Sequence, residues 1–530
     1  MIVAHVTREF GELLGAGGLR DNVKGICVES SRNGINTHVF VPLSPSGLNS
    51  NEYSVMGEPM RFDVRMNLGK RCRRTEVVEV RHYRRVDQPN LCFHFVTSDR
   101  YDHLCEGDGT APRRGVYTYT PEDAEAIGRP DLTGKRYNDN FELNVLLIKA
   151  SLRAMGDLSL KPDLIHCHDG HTGLLPLIAQ HSIDSYASFL RYTPTLLTLH
   201  NAADRYRGEA PLDELAQSLC GIPAHILKGC LHNDQLDPVL AAALFGTALN
   251  TISENYAREL RETGLDWTTS WLGHRLAGLG ISLEGITSGI NPEDYDPSDP
   301  ARMGITARFS PASGDLAGKK VCKRILVDEI GLGATSLSAP LLTFVGRLVC
   351  QKGLDFLADA IDAFFREDSE TRFVGIGTGS MDVVRRLKRL ERCWPSRVRV
   401  ITPYDRVMAN KIYAAGDFCL MPSRFEPCGL VDFIAQLYGN LPVVHAIGGL
   451  VKVVDGVTGF TYQGGSRELL EKLREVTTLD REQPECLDRM RVEAARLVLA
   501  RHTWTKVFSD HYLPLYQAVI CKNRSMVPVT

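Results

Sequence analysis

The stretch DFCLMPSRFEPCGLV, residues 417 to 431, decides the fold. The apolar run DFCLM lies between Gly416 and Pro422, and this setting predicts a short buried β-strand. The Pro-Ser pair that follows predicts a turn, and Gly429 to Val431 predict the start of a helix. Because a strand, a turn and a helix in this order form the repeating unit of a parallel sheet, the stretch predicts the α/β class.

Short apolar runs of the same type recur along both halves of the chain, with helical stretches between them. The first half contains IVAHV, THVFV, DLIHC and TLLTL, at residues 2 to 6, 37 to 41, 163 to 167 and 195 to 199. The second half adds LLTFVG, RVRVI and LPVVH, at residues 341 to 346, 397 to 401 and 441 to 445. Two separate series of alternating strands and helices predict two parallel sheets.

The length of the chain and a turn-rich segment predict where the two sheets divide. A chain of 530 residues is too long for one hydrophobic core. Residues 292 to 340 carry Pro, Gly and Ser in clusters such as PEDYDPSDP and SPASGD, with one charged helical stretch near Lys319 to Ile330. We therefore place the domain boundary near residue 300.

Composition and charge exclude several classes of protein. Apolar residues make up 43% of the chain and charged residues 24%, as in an ordinary globular protein, and the formal net charge is -3. This charge gives no reason to expect nucleic acid or a membrane as a partner. No apolar stretch approaches the roughly 20 residues of a bilayer span, and Met1 to Val6 lead into a strand rather than a signal sequence. The 14 cysteines lack the paired spacing of a zinc site, so we expect reduced thiols and a cytoplasmic protein.

Unusual polar residues follow the predicted strands of the first half. Ligand sites in open parallel sheets form at the carboxyl ends of the strands. The segment GAGGL at 15 to 19 follows the first strand, where backbone N–H groups and a helix N-terminus can approach a phosphate or a sugar. HCHDGHTG at 166 to 173 and LHN at 199 to 201 follow two others. Hydrogen bonding to a sugar fits these residues better than zinc, although a structural role for any one histidine stays open.

The predicted strands of the second half are followed by charged residues. Arg347 and Lys352 follow LLTFVG, where two cations can stabilise the charge that develops on a leaving nucleoside diphosphate without a metal. Glu426 lies in the turn after DFCLM, where a carboxylate can accept hydrogen bonds from sugar hydroxyls. The helix that starts at Gly429 can hold a phosphate with its N–H groups. An ordinary surface role is the alternative, and the shared position at strand ends argues against it.

Together these segments resemble the bacterial glycogen synthase and plant starch synthase family, glycosyltransferases of the GT-B fold. The most specific match is SRFEPCGL at 423 to 430, followed at family spacing by YGNLPVVHAIGGL and by DGVTGF at 455 to 460. The resemblance implies two Rossmann-like domains that face a deep cleft. Its domains would cover residues 1–300 and 301–505, with a C-terminal helix over 506–530 that returns to the first.

The resemblance also implies roles for individual residues. His171 would lie beside the transferred glucose, and Asp139 would be a second residue of the sugar site. Arg347 and Lys352 would contact the donor phosphates, and Glu426 would hold glucose hydroxyls. The other implied donor-site residues are Gly17, Gly18, Asp21, Tyr404, Cys428, Gly429 and Leu430, with Glu9 beside them and Tyr404 stacked on the nucleotide base.

The activity implied by the resemblance is a retaining transfer of glucose from ADP-glucose to the non-reducing end of an α-1,4-glucan. No metal or other cofactor is expected beyond the nucleotide-sugar substrate. Two alternatives stay open. One is a catalytically weak paralogue that binds glucan or a nucleotide sugar and acts as a regulator, and the other is an enzyme of the same fold that uses UDP-glucose.

The chain departs from the family pattern at several positions. Gly15 and Ala16 stand where the family has the Lys and Thr of KTGGL, which removes a cation near the donor. A charge-assisted hydrogen bond from Lys to the donor would contribute roughly 1.5 to 3 kcal/mol. Holding Lys in a positive-φ conformation would cost about 1 to 2 kcal/mol. We therefore expect Lys and Thr at these two positions to strengthen donor binding narrowly. The further departures are Val431 for Thr, Ser288 for Asn, and Lys452-Val453 for Asp-Thr.

Overall fold

The computed structural model describes residues 1–15, 17–43, 48–67, 73–106, 109–184, 186–333 and 338–526. The chain divides into two compact units, one of Met1–Ile286 with Phe508–Thr530 and one of Thr287–Val507. The division falls earlier than residue 300 because the turn-rich segment after Ile286 belongs to the second unit. Ile290 and Phe309 from that segment lie in the hydrophobic core of the second unit.

The strands of the first unit are β1 (Ile2–Val6), β2 (Asn36–Pro42), β3 (Tyr53–Val55), β4 (Met60–Asn67), β5 (Arg73–Arg85), β6 (Leu91–Thr97), β7 (His103–Glu106), β8 (Gly109–Pro112), β9 (Leu164–His168), β10 (Thr195–Leu199), β11 (Ala210–Pro211), β12 (Leu231–His232), β13 (Gln235–Leu236), β14 (Ala248–Thr251) and β15 (Glu284–Gly285). The main sheet has the order β15-β14-β10-β9-β1-β2-β6-β5-β3, and β4 pairs with β5. Its pairs from β15 to β6 are parallel, whereas β5 pairs antiparallel with β3, β4 and β6.

The parallel part of this sheet confirms the strands predicted from the apolar runs. β9 and β10 are buried along their whole length, which is why their sequences are continuously apolar or carry only small polar and imidazole side chains. The antiparallel part was not predicted. β5 alternates buried and exposed residues over 75 to 82, and this period of two was the available signal.

The helices of the first unit before the second unit begins are α1 (Gly18–Arg32), α2 (Asp99–Asp102), α3 (Pro121–Ala126), α4 (Asn140–Asp157), α5 (Leu175–His181), α6 (Asp204–Arg207), α7 (Glu214–Cys220), α8 (Ala224–Lys228), α9 (Pro238–Phe245), α10 (Glu254–Glu262) and α11 (Leu272–Gly278). Side-chain caps define several starts; Asp237, for example, accepts from Val239 N and Leu240 N at 2.8 and 3.0 Å. Throughout the described chain, each helix lacks either the length or the apolar character that a bilayer span requires.

The second unit has a parallel sheet of β16 (Leu341–Val345), β17 (Arg372–Ile376), β18 (Val398–Ile401), β19 (Phe418–Met421), β20 (Leu441–His445) and β21 (Phe460–Tyr462). Their order is β18-β17-β16-β19-β20-β21. Its helices are α12 (Pro300–Met303), α13 (Ala317–Glu329), α14 (Leu354–Glu367), α15 (Met381–Cys393), α16 (Arg406–Ala415), α17 (Leu430–Leu437), α18 (Ser466–Glu482), α19 (Pro484–Arg501) and α20 (Trp504–Val507). The strand, turn and helix predicted over 417 to 431 are confirmed as β19, its following loop and the start of α17.

The final helix, α21 (Leu513–Met526), follows a π-helical turn at Phe508–Tyr512 and belongs to the first unit. The Tyr516 hydroxyl is buried there, 2.8 Å from His166 Nδ1 on β9. This hydrogen bond anchors the end of the chain to the middle of the first sheet.

Each sheet reverses its strand order beside one strand. In the first sheet the chain runs from β1 to β2 on one side, and β9 lies on the other. In the second sheet β16 leads to β17 on one side, and β19 lies on the other. Ligands of open α/β sheets bind at the carboxyl ends of the strands where the order reverses. Ligand-binding residues are therefore expected in the segments that follow β1 and β9 in the first sheet, and β16 and β19 in the second.

Candidate active site

Arg8 lies two residues after the end of β1 and contacts several polar residues of the first unit. Its guanidinium donates to Asn140 Oδ1 and Asn144 Oδ1 on α4 at 2.7 and 2.9 Å. It also lies over the ring of Tyr117, 4.8 Å from the ring centroid. This buried cation joins the end of β1 to the start of α4. Sequence analysis missed it, although its position directly after a strand was a signal.

His171 presents a neutral imidazole in the 3-10 turn Gly170–Thr172, which follows β9. Its ring stacks on Tyr117, with centroids 4.4 Å apart and an interplanar angle of 18°. Burial lowers the pKa of His171 well below its usual value, and Arg8 and Arg136 lower it further. Its Nδ1 is buried and has no hydrogen-bond partner among the described residues. An imidazole in this state can exchange a hydrogen bond with a ligand hydroxyl.

Asp169, which the sequence placed in the HCHDGHTG segment without a role of its own, joins the ends of β9 and β10. Its Oδ1 accepts hydrogen bonds from His200 N at 2.6 Å and Asn201 N at 3.2 Å. Its φ is +56°, an uncommon conformation for a residue other than glycine. Burial raises the pKa of Asp169 to about 8, although the two N–H groups oppose the shift. The residue therefore holds the backbone beside His171 in a strained turn.

Asp139 immediately precedes α4, and its carboxylate is engaged by arginines. Arg113 donates to it through Nη2 at 2.9 Å and Nη1 at 3.3 Å, and Arg100 Nη1 lies 3.6 Å away. Arg8 contacts Asn140, the next residue, and the Tyr117 ring on which His171 stacks. One polar network therefore links the neighbourhoods of Asp139 and His171.

The glycine-rich segment leads into the N-terminus of α1. Gly17 is the residue before the helix, with φ of +110°, and it supplies no side-chain cap. Gly17 and Gly18 are exposed, so the first N–H groups of the helix are accessible to a ligand. The Asp21 carboxylate lies in the first turn, 3.4 Å from Arg20 Nε.

Gly15 has no room for a side chain. Its φ is +114°, and a Cβ atom at this position would lie 2.7 Å from Glu9 Cδ and overlap the carboxylate. Glu9 is buried and hydrogen-bonds with Tyr117. These contacts reverse the expectation that Lys at position 15 strengthens donor binding. Ala16, the second position of that exchange, lies outside the described residues.

Replacing Gly15 by Lys and Ala16 by Thr is therefore expected to lower both the melting temperature and kcat/KM for the donor. The positive φ costs about 1 to 2 kcal/mol, and displacing the buried Glu9 adds to this. Gly15→Ala and Gly17→Ala form a matched pair, because Gly17 shares the positive φ but a Cβ there meets nothing within 4 Å. Gly15→Ala should lose more stability than Gly17→Ala. A higher kcat/KM in the Lys-Thr variant would contradict this reasoning.

The second unit pairs Lys352 with Glu426. Lys352 ends a 3-10 turn after β16, and its Nζ donates to Glu426 Oε2 in the loop after β19. Ser423 Oγ donates to the same oxygen at 3.0 Å. Burial raises the pKa of Glu426, but Lys352 and Ser423 more than offset this and leave it below the usual value. The Glu426 carboxylate is therefore ionised, and the pair is largely shielded from solvent, with 14% of the Lys352 side chain and 9% of the Glu426 side chain exposed.

Backbone contacts hold the two loops of this pair together. Gln351 Nε2 donates to Phe425 O at 3.0 Å, and Arg424 N donates to Gln351 O at 2.9 Å. Gly353 has φ of +64° and packs so closely that a Cβ would lie 2.9 Å from Pro422 C. Arg347 is exposed beside them and donates to Gln351 Oε1 at 3.2 Å. Two cations and one carboxylate are thus positioned at the reversal point of the second sheet.

The N-terminus of α17 lies beside this pair. Gly429 precedes the helix with φ of +79°, and a Cβ there would lie 2.5 Å from Leu450 Cδ2. Leu430 is the first helical residue, and no side chain caps its N–H groups. Cys428 is buried, and burial raises the pKa of its thiol, so it is present as a neutral side chain. Gly449 N donates to Glu426 O at 2.9 Å and fixes the loop that carries the carboxylate.

Lys452, which the sequence showed only as a departure from the family pattern, links the segments around the N-terminus of α17. Its Nζ donates to Cys428 O, Gly429 O and Gly449 O at 2.5, 2.8 and 3.0 Å. It also lies 3.0 Å from Asp432 Oδ1, and Asp432 is fully buried on α17. Burial raises the pKa of Asp432 to about 6, and Lys452 opposes the shift. Lys452 therefore ties the loop before α17 to the segment after β20.

Tyr404 lies after β18, and its ring is accessible. Its backbone N donates to Thr378 Oγ1 at 2.9 Å, which joins the segments after β17 and β18. The residue is 49% exposed. An exposed ring on an anchored backbone is compatible with stacking on a base, and that role stays a prediction.

One group of buried imidazoles in the described chain has ring nitrogens close enough to share a metal: His5, His166 and His168, within 4.8 Å of one another. Both nitrogens of His166 are hydrogen-bonded, one of them to Tyr516. The nitrogens of His168 lie 3.1 Å from those of His5 and His200. Burial lowers the pKa of each ring of the group. The arrangement favours a chain of neutral, hydrogen-bonded imidazoles over a metal centre.

Known sequences match both parts of the chain. Residues 2–271 match the family model of the starch synthase catalytic domain, and residues 339–478 match that of glycosyl transferases group 1. A glycogen synthase of Aeromonas hydrophila is 31% identical over 424 residues, which cover 77% of this chain and 82% of that protein. A glycogen synthase of Anaeromyxobacter sp. is 35% identical over 333 residues, which cover 61% of this chain and 66% of the relative, just under two thirds of its length.

A solved structure shares the fold. The catalytic domain of starch synthase IV from Arabidopsis thaliana, bound to ADP and acarbose, superimposes with a TM-score of 0.77 at 24% identity. The match covers 98% of this chain and 99% of that one. This likeness confirms the predicted GT-B fold class. With a family model that covers residues 2–271 and a relative matched over 82% of its length, the chain belongs to the glycogen synthase and starch synthase family of glycosyltransferases.

Proposed function

We propose that this chain transfers glucose from ADP-glucose to the non-reducing 4-hydroxyl of an α-1,4-glucan, with retention of the anomeric configuration. The observation that carries the proposal is the Lys352–Glu426 pair at the reversal point of the second sheet, with Arg347 and the N-terminus of α17 beside it. This set combines cations for a diphosphate with a carboxylate for sugar hydroxyls.

In the chemical step, positive charge develops on the glucose of the donor and negative charge on its departing phosphate. The bond from glucose C1 to the phosphate oxygen breaks, and the bond from C1 to the acceptor 4-oxygen forms on the same face. The acceptor proton passes to the departing phosphate oxygen. Arg347 and Lys352 stabilise the negative charge on that phosphate. In the first unit, the neutral His171 is the side chain to which we assign a hydrogen bond with a glucose hydroxyl.

A double displacement through a protein carboxylate is a poor fit to the site residues. Retaining glycosidases use two carboxyl groups about 5 Å apart, one of them a free nucleophile. Glu426 is occupied by Lys352 and Ser423. Asp139 is occupied by Arg113. Substrate positioning and charge stabilisation are therefore the effects that we assign to this site.

One assay distinguishes ADP-glucose from UDP-glucose as the donor, and an active transferase from a paralogue that only binds. The Arabidopsis neighbour was solved with ADP, which supports ADP-glucose as donor. We would measure incorporation of labelled glucose into glycogen from ADP-glucose and from UDP-glucose, and the linkage of the product. Preferred incorporation from ADP-glucose into α-1,4 linkages is expected. Preference for UDP-glucose would overturn the donor assignment, and no incorporation from either would favour a binding paralogue.

Chelation of divalent ions is expected to leave the transfer rate within about twofold, because Arg347 and Lys352 supply the charge that a metal would otherwise provide. The measurement is the initial rate after treatment with EDTA, compared with an untreated sample. A loss of activity that returns when Mg²⁺ or Mn²⁺ is added would contradict this prediction.

A cytoplasmic location is part of the proposal. Most of the described cysteines are buried free thiols, and Cys350 and Cys393 are exposed free thiols. Exposed free thiols persist in a reducing compartment.

A further inference from the structure

Two large aromatic side chains of the first unit are exposed close together in sequence. Trp267 lies in the 3-10 helix Gly264–Thr269 and is 64% exposed, and Trp271 lies just before α11 and is 51% exposed. The other tryptophans of the chain, Trp394 and Trp504, are half-buried and buried. Each exposed indole offers a large apolar face that a ligand can cover, so these two positions are a candidate binding surface.

The backbone at Trp271 does not favour a tryptophan. Its φ is +69°, and Ser270 before it has φ of +52°. Glycine adopts this conformation readily, whereas a bulky L-residue is strained in it. Backbone strain of this kind persists only where the surrounding structure holds it, and it clusters at functional sites.

A buried carboxylate makes this turn rigid. Asp266 is fully buried and accepts hydrogen bonds from Gly273 N at 3.2 Å and from His274 N and Nδ1, both at 2.8 Å. Trp271 N donates to Asp266 O at 3.1 Å. The Trp271 ring meets the His274 ring edge-on, with centroids 5.1 Å apart. The indole is thus held in place before any ligand arrives, which reduces the entropy lost on binding.

The turn is also connected to the segment that carries His171. The buried Arg207 guanidinium donates to Thr269 O, two residues before Trp271. The Arg207 backbone packs against Gly170, so closely that a Cβ on Gly170 would lie 2.6 Å from Arg207 Cα. A single residue therefore bridges the tryptophan turn and the residue next to His171.

Polar groups surround the rings and indicate the chemistry of the ligand. Ser270 Oγ donates to the exposed Asp204 carboxylate at 2.8 Å, and the exposed Asn233 amide donates to Ser270 O at 3.3 Å. The faces of pyranose rings present C–H groups that pack on indole, and their edges present hydroxyls that such polar groups can bind. A protein partner would favour a broader apolar face.

We propose that Trp267 and Trp271 form a glucan-binding surface that holds the acceptor polymer beside the His171 segment. The choice of an α-glucan as the ligand rests on the proposed function. The surface would raise the local concentration of chain ends, so it should matter for a long polymer and not for a short oligosaccharide.

The test measures binding separately from transfer. Trp271→Gly relieves the backbone strain and removes the ring, so its melting temperature should equal or exceed that of the parent protein. We expect Trp271→Gly and Trp267→Ala each to weaken binding to glycogen about tenfold or more in affinity electrophoresis, and Trp271→Phe to weaken it less. Met381→Ala is the matched control, because Met381 is 65% exposed in the second unit and should leave binding unchanged.

Kinetics complete the test. The KM for glycogen should rise about tenfold in Trp271→Gly, while the KM for ADP-glucose and kcat with maltotriose stay within about twofold. Unchanged glycogen binding in both tryptophan variants would overturn this inference, whether or not transfer occurs. If the variants instead change the sedimentation coefficient with unchanged glycogen binding, the surface joins two copies of the chain and the inference is wrong. Loss of glycogen binding in a protein that transfers no glucose would support the surface while the proposed function fails.

Discussion

Lys352→Ala and Glu426→Ala are each expected to lower the rate of glucosyl transfer about 100- to 1,000-fold, because a single preorganised electrostatic group at a reacting centre is worth 2.7 to 4 kcal/mol. Lys352 donates to Glu426 at the reversal point of the second sheet, so either change removes one charge and leaves the other poorly compensated. We would measure kcat and KM for the donor with the melting temperature as a check on folding.

The variant that combines Lys352→Ala with Glu426→Ala tests whether the two side chains act together. Since the two side chains act as one unit, the double variant should lose little more activity than either single variant. Lys388 and Glu391 form a control pair of the same charges in the same unit, 2.7 Å apart with Lys388 nearly half exposed. Lys388→Ala should leave transfer within about twofold. Near-normal activity in a folded Lys352 or Glu426 variant would remove the pair from the mechanism.

Lys452→Met is expected to destabilise the protein by about 3 to 5 kcal/mol, because the buried Asp432 carboxyl group loses its counter-charge and must take up a proton or stay ionised without a partner. It also removes donors from the three carbonyl groups that Lys452 joins. Chemical denaturation followed at pH 7 measures the change. Adding Asp432→Asn to Lys452→Met should recover part of the loss, since the buried charge is then gone.

The stability of Lys452→Met should also depend on pH in a way that reports on Asp432. The pKa of Asp432 is raised from 3.8 to about 6 by burial, so the folded state holds a proton over a range where the unfolded state has released it. The stability linked to this group is present below pH 3.8 and is lost as the pH rises through 6. Without Lys452 this pKa rises further. The difference in the free energy of unfolding between the parent protein and Lys452→Met should therefore be smaller at pH 5 than at pH 7.

Arg474→Ala is the control for Lys452, because Arg474 and Glu367 form a pair on the same unit with 46% and 51% of their side chains exposed. An exposed pair contributes about 1 kcal/mol at most. A Lys452→Met variant no less stable than this control, or one whose deficit widens toward pH 5, would show that the ion pair does not stabilise the fold.

Local patterns were sufficient for much of the fold. The runs at 2 to 6, 195 to 199 and 441 to 445 coincide with β1, β10 and β20, because strands buried on both faces are continuously apolar or nearly so. The antiparallel strands β3 to β5 of the same sheet were missed, since β4 and β5 alternate in polarity and carry many charges. The positions of Arg347, Lys352 and Glu426 at strand ends also followed from the sequence, and their roles remain predictions.

The sequence by itself determined the α/β class, the two series of strands and the charged residues that follow them, because periodicity and turn residues act over short distances along the chain. Only the tertiary structure decided which of those residues meet. Lys352 and Glu426 are 74 positions apart, and a parallel sheet brings them into contact. The same holds for Glu9, which closes the space at Gly15, and for Lys452, which neutralises Asp432. Burial and charge pairing depend on neighbours in space, and no local pattern records them.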